Sequence, residues 1–250
     1  MLAASLDQVW IRYRPPRRSQ SGPRHWTWAL SDVTLSVDEG EWLGVIGGNG
    51  SGKTTLLRTI VGVYQPTKGH VHRPGRAMSV IDLAPGMARE LSGHEYLRMS
   101  AAVLGVRPGE LRSRRERILD LAGLPDAALD QPVYAYSAGM MLRLMLALAI
   151  SCEPAVLAVD EVLAVADLAF RDRSLALMAE LCRNGTAVVM ASHDLEVMAN
   201  HPDRVAVFDR GNLVVVASPE EAIASYSASS GAASGTSAGT EATHSGSASQ

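Results

Sequence analysis

The chain is poor in cysteine. Cys152 and Cys182 are its only two. They stand far apart with no C-x-x-C, which excludes a disulfide scaffold and a zinc ribbon and suits a reducing cytosol. Long apolar runs are also missing. Stretches such as Leu144–Ile150 and Ala155–Val159 fall well short of the ~20 residues that a membrane-spanning helix requires. The opening MLAASLDQVW has no basic segment followed by an apolar one, so no secretory signal is read. A large charge of one sign is absent too, the formal net charge being −3. That excludes a polybasic chain held to nucleic acid mainly by phosphate neutralisation. Histidines at metal-ligand spacing are lacking. His70 and His72 flank a short strand (GHVHRPG), while His25, His94, His201 and His244 have no suitable partners.

Apolar residues, 47% of the chain, are sufficient for a core and fall in short runs that alternate with longer amphipathic ones. Glu41–Ile46, Ala155–Val159 and Thr186–Ala191 read as buried parallel strands, rich in β-branched residues and ending in polar ones. Lys53–Val63, Arg112–Gly123, Ala138–Ser151, Asp172–Cys182 and Leu195–Asn200 read as helices. The alternation predicts an α/β fold with a mostly parallel central sheet, whose chemistry gathers where strands end. Arg12–Trp26 is broken by Pro15, Pro16, Gly22 and Pro23 and carries five arginines. It reads as a solvated hairpin loop rather than a phosphate contact. From about Ser225 the chain is almost all Ser, Ala, Gly and Thr, too poor in apolar surface to offset ordering entropy. The folded part, 1–226, is therefore expected to end near Tyr226, with 227–250 a disordered tail.

After the first predicted strand comes GGNGSGKTT, Gly47 to Thr55, which satisfies G-x-x-x-x-G-K-[ST]. Glycines at 47, 48, 50 and 52 let consecutive N–H groups around Asn49 and Ser51 face one anion, and a helix starting near Lys53 adds its positive end. Lys53 can reach the β- and γ-phosphates of a nucleoside triphosphate, and the Thr54 hydroxyl can coordinate Mg²⁺. The strand AVLAV then runs into Asp160-Glu161. A strand-end carboxylate pair suits Mg²⁺-dependent phosphoryl transfer, with Asp160 holding the metal and Glu161 polarising an attacking water. TAVVMA ends in Ser192-His193-Asp194, where His193 can hydrogen-bond the γ-phosphate or transition-state oxygens.

Tyr136-Ser137-Ala138-Gly139-Met140 opens the helix MLRLMLALAI, a second anion site at a helix start. Here the chain resembles the ATP-binding-cassette (ABC) ATPases, with YSAGM where they carry LSGGQ. GGNGSGKTT resembles Walker A, AVLAVDE Walker B, His193 the switch histidine and Asp167 the D-loop aspartate. DQPVYAYSAGM, DEVLAVADLAF and LSGHEY resemble the branch that exports O-antigen, capsular polysaccharide or teichoic acid. Tyr13 resembles the aromatic that stacks on adenine there, with Trp26 and Trp28 as weaker candidates. Three departures stand out. VIDLAPGMARELSG has no Q-loop glutamine, leaving Asp82 as a stand-in. Ala138 replaces a signature glycine, and Ala166 a D-loop glycine.

The resemblance implies an ABC cassette: a mostly parallel sheet, a small antiparallel β region and an inserted helical subdomain at about 93–153. It implies ATP and Mg²⁺ as ligands. Thr55 and the rest of the phosphate loop, with Tyr13, would contact ATP in one subunit, and Ser137, Ala138, Gly139 and Met140 would come from the other; Asp167 would also belong to the nucleotide site. Glu161 and His193 would be catalytic. Implied partners are a second cassette in a head-to-tail homodimer, separate integral membrane permease subunits received near Pro85–Leu91, and a lipid-linked glycan handled by the permease. No nucleic-acid partner is expected. The implied location is peripheral, on the cytoplasmic face of the plasma membrane. A drug or lipid exporter, and a soluble ABC ATPase acting on nucleic acid or the ribosome, remain alternatives.

Overall fold

The computed structural model describes residues 1–13, 26–80, 90–160 and 168–234. Its central sheet has strand order β5-β6-β7-β3-β8-β9, made of β3 (Trp42–Gly47), β5 (Ala77–Ser79), β6 (Val156–Asp160), β7 (Ala187–Ala191), β8 (Arg204–Asp209) and β9 (Asn212–Ala217). The pairs among β5, β6, β7, β3 and β8 are parallel, and β9 runs antiparallel to β8. A three-stranded antiparallel sheet holds β1 (Leu2–Tyr13) between β2 (Thr27–Asp38) and β4 (Lys68–His72). Tyr13 pairs with Thr27, so the flanks of the arginine-rich segment form the expected hairpin. The segment itself, 14–25, lies outside the described residues.

The central strands β3, β6 and β7 are buried on both faces because they are apolar nearly throughout, and the strand period of two divides their side chains between two cores. Leu43 and Val45 of β3, Val156 and Ala158 of β6, and Ala187 and Val189 of β7 join Leu56, Leu57 and Ile60 of α1 (Lys53–Ile60) and the antiparallel sheet. Trp42, Ile46, Leu157, Val159, Val188 and Met190 point the other way. They meet α4 (Ala138–Ser151), α5 (Leu168–Arg183), α6 (Leu195–Asn200) and α7 (Pro219–Ser234).

The helical region is α2 (Gly93–Val103), α3 (Pro108–Ala122) and α4, with a short turn between the first two and a longer connection holding two 3-10 turns, Asp126–Asp130 and Val133–Ala135, before α4. Ser92 starts α2 with a reciprocal capping box to Glu95, which satisfies two orphan donors. Those hydrogen bonds from Ser92 hold the Glu95 carboxyl below its ordinary pKa. α4 starts and ends as the sequence predicts. α5 is already helical at Leu168, the first described residue after 160, ahead of the expected Asp172, and this added turn carries Phe170 into the core.

α7 spans Pro219–Ser234 and so runs past Tyr226, while the rest of the expected tail, 235–250, lies outside the described residues. Ala222 is fully buried, and Ile223 and Tyr226 pack on the core. Beyond them Ala and Ser, which cost little to add to an existing helix, carry the helix on without burial through residue 229. Among the described residues no helix is long and apolar enough to cross a membrane.

Candidate functional site

Strands β6, β7 and β3 are neighbours in the parallel sheet, so their carboxyl ends come together at one edge. Val45 of β3 pairs with Ala191 of β7, and Asp160 of β6 pairs with the same Ala191. The glycine-rich loop leaves from β3, Asp160 ends β6, and Ser192-His193 follows β7. The topology thus brings three motifs distant in sequence to one crevice, where open α/β sheets bind ligands.

The loop is shaped by backbone that a side chain would obstruct. Gly47, Gly50 and Gly52 have φ of +156°, +77° and +109°. A Cβ on Gly52 would come within 2.7 Å of the Ala29 carbonyl oxygen. The loop is tied down by Ser51 N–H to the Gly48 carbonyl (3.2 Å) and by Gly211 N–H to the Ser51 carbonyl (2.8 Å). α1 follows at once, and the first N–H groups of a helix have no intrahelical acceptor, which makes its start an anion cradle.

Lys53 is 7% exposed and its ammonium donates to the Gly47 and Gly48 carbonyls at 2.8 and 3.2 Å, a cation held inside the loop. Thr54 Oγ1 donates to Asp160 Oδ2 at 2.5 Å. A hydroxyl and a carboxylate in contact at the mouth of a phosphate loop form a hard-oxygen pair of the kind Mg²⁺ takes. Ser51 Oγ is buried without a hydrogen-bond partner, so the loop encloses a polar atom suited to a phosphate oxygen. On this chemistry the residues fit a Mg²⁺-nucleotide.

Tyr13, Trp28, Asn49, Gly50, Ser51, Lys53, Thr54, Thr55 and Asp160 line one cleft of about 470 Å³. The Tyr13 hydroxyl meets Thr55 Oγ1 at 2.9 Å, and its ring packs edge-on against Tyr64 at 5.6 Å. Burial, followed by the Tyr64 phenol, raises the Tyr13 pKa, so the hydroxyl stays protonated near neutrality. Trp26 is exposed beneath the Arg12 guanidinium, 4.2 Å from its ring centre.

The other expected residues lie elsewhere. Ser137, Ala138, Gly139 and Met140 form the start of α4 and do not line this cleft. Ser137 caps the helix by accepting from Met140 N–H at 3.1 Å, and the exposed Ala138 has room for its methyl. His193 is exposed at the end of β7. Glu161, Asp167, Ala166 and Asp82 lie outside the described residues, as does most of Pro85–Leu91.

Two supports escaped sequence reasoning. A Cβ on Gly93 would stand 2.1 Å from the Tyr136 hydroxyl, which donates to the Ala128 carbonyl at 2.7 Å. Gly93 therefore makes room for the tyrosine just before the signature serine. Arg171 pairs with Asp194, next to His193, at 2.7 Å. LSGHEY carried the first signal, a helix-starting glycine after a cap. The second contact joins residues on separate elements and left no local trace.

The ABC transporter family profile matches residues 30–164. Over 198 residues the chain is 38% identical to "ABC transporter protein AbcA" of Aeromonas salmonicida, a match covering 79% of this chain and 64% of that protein. It is 36% identical to "O-antigen export system ATP-binding protein RfbB" of Klebsiella pneumoniae, covering 79% and 80%. The chain thus spans just under two thirds of the first relative and more of the second. Among solved structures, a dimeric ATP-binding cassette in a post-hydrolysis state with ADP and Pi superposes with TM-score 0.73 at 21% identity, covering 86% of this chain and 98% of that one.

Proposed function

This chain belongs to the ABC transporter family, and from that premise we propose that it is the ATP-hydrolysing subunit of an exporter of lipid-linked polysaccharide. The observation that carries the nucleotide reading is the cleft in which a caged lysine, a Thr54–Asp160 pair and an orphaned Ser51 hydroxyl converge. Its glycan direction is supported by the O-antigen export name of a relative at 36% identity, together with YSAGM and DEVLAVADLAF.

In this reading the loop N–H groups from Gly48 to Thr55 and the Lys53 ammonium bind the phosphates, and Tyr13 offers its ring to adenine. Thr54 and Asp160 hold Mg²⁺, which when bound neutralises charge on the phosphate oxygens. Glu161 accepts the proton of the attacking water, which then bonds to the γ-phosphorus as the bond to the β,γ-bridging oxygen breaks, and His193 donates to the γ-phosphate oxygens. Ser137 to Met140 sit on α4, away from the cleft of their own chain, so they serve the ATP of a second cassette. A head-to-tail dimer uses both anion sites, and ATP that binds the closed dimer better shifts the population toward it. Asp167 would lie at the same dimer seam. Export places this dimer against membrane permease subunits on the cytoplasmic face of the membrane, with the glycan handled by the permease.

The purified chain tests this directly. Glu161→Gln should keep ATP binding and nearly abolish turnover, whereas Lys53→Ala should weaken binding of a fluorescent ATP analogue. Co-purification with a multi-span membrane protein, and ATPase stimulation by a lipid-linked glycan, test the export half. Full turnover in Glu161→Gln removes the base assignment, and stimulation by a drug or lipid instead of the glycan redirects the substrate.

A further inference from the structure

His193 stands on a backbone clamped on both sides. Before it, the Ser192 hydroxyl accepts from Asp194 N–H at 3.0 Å. After it, Asp194 Oδ1 accepts from the N–H groups of Glu196 and Val197 at 3.1 and 3.2 Å, which starts α6. The second carboxylate oxygen, Oδ2, is taken by the Arg171 guanidinium at 2.7 Å. Arg171 lies on α5, four residues along the chain from Asp167. Its neighbour Phe170 is 7% exposed and anchored in the core, with the Arg143 guanidinium of the signature helix α4 at 4.9 Å from its ring. A short physical chain therefore runs from the signature helix through α5 to the loop of His193.

We propose that Arg171 is a positioning residue for ATP hydrolysis: by gripping the Asp194 carboxylate it fixes His193 where its imidazole meets the γ-phosphate. The proposal rests on the ATP-hydrolysis reading above. An ion pair this exposed, 27% and 35% at its side chains, adds little stability. Its effect is on geometry, and misplacing a catalytic group by about 1 Å costs on the order of a hundredfold. ATP affinity is carried by the cleft residues, which Arg171 does not touch, so turnover falls and binding holds.

The test uses the full chain with Arg171→Ala, Arg171→Lys, Asp194→Asn and the Arg171→Ala/Asp194→Asn pair. Arg171→Ala should lower kcat roughly tenfold to a hundredfold and leave KM for ATP within about twofold. Arg171→Lys, whose ammonium can still reach Oδ2, should recover part of the loss. The double variant should be no slower than Arg171→Ala, since both changes break one contact. As an activity-independent readout, the His193 ring resonances should shift on adding a non-hydrolysable ATP analogue to wild type, and less in Arg171→Ala. Unchanged kcat in Arg171→Ala, a loss in KM alone, or additive losses in the double variant each overturn the proposal. Wild type that neither binds nor hydrolyses ATP sinks the underlying reading and the proposal with it. Active wild type with indifferent Arg171 variants sinks the proposal alone.

Discussion

Gly47→Ala isolates the steric demand on which the nucleotide cleft depends. Gly47 ends β3 and pairs with Phe208 of β8. A Cβ there would lie 2.3 Å from the Phe208 carbonyl oxygen and 2.6 Å from Ser51 Oγ. The serine can rotate, but the carbonyl belongs to a paired strand, so the loop or the β3–β8 seam must move. Overpacking costs about 1–3 kcal/mol, and a non-glycine residue in so sparsely populated a backbone region about 1–3 kcal/mol more. The low half of that sum, about 3 kcal/mol, lowers Tm by roughly 6–12 °C in a chain of this size. Gly48→Ala is the internal control. Its Cβ meets nothing within 4 Å, and stability should change by no more than ~0.5 kcal/mol. Thermal melts of the full chain should be run with and without Mg²⁺-ATP. At a hundred times Kd, wild type should gain about 2.7 kcal/mol, whereas Gly47→Ala, its cradle displaced, should gain almost nothing. A Gly47→Ala melt indistinguishable from that of Gly48→Ala, or one that keeps the full ATP-induced rise, would refute the steric reasoning.

Tyr13→Ala should weaken ATP binding by about 0.5–1.5 kcal/mol, roughly two- to thirteenfold, while Tyr13→Phe keeps the ring and most of the affinity; equal losses in calorimetric titration would assign the effect to the hydroxyl. Cys182, whose pKa burial pushes up to about 11, should be protonated and slow to alkylate at about pH 8. Rapid iodoacetamide labelling of the native chain, read by mass spectrometry, would contradict that. The Arg76 hydrogen bond holds the Glu110 carboxyl below its ordinary pKa. Because the folded value lies below the unfolded one, the stabilisation is present above the ordinary carboxylate pKa and is lost as pH falls through the folded value. It is small for so exposed a group. Arg76→Ala should therefore flatten the acid limb of a urea-stability profile against pH, and an unaltered limb would show that the pair does not stabilise the fold.

What the sequence made legible is what local chemistry determines. Ala138–Ser151 is bounded correctly because Ser137 is a cap and the run behind it is apolar throughout, and GGNGSGKTT is legible because its backbone shape requires glycines within a few residues of one another. The expected start at Asp172 missed Leu168–Arg171, which are already helical, because the place of Phe170 in the core is set by partners distant in sequence. Tyr226 looked like an end because composition reports burial, whereas a helix already nucleated needs no burial to continue through Ala and Ser. The least legible layer is pairwise and distant: Gly93 under Tyr136, Thr54 against Asp160, Arg171 against Asp194. A motif names the groups that touch phosphate and leaves unnamed the groups that hold them in place. Arg171, in a helix turn whose sequence requires nothing of it locally, is where that difference can be measured: if kcat depends on it while ATP binding does not, the precision of the site resides in contacts outside every motif.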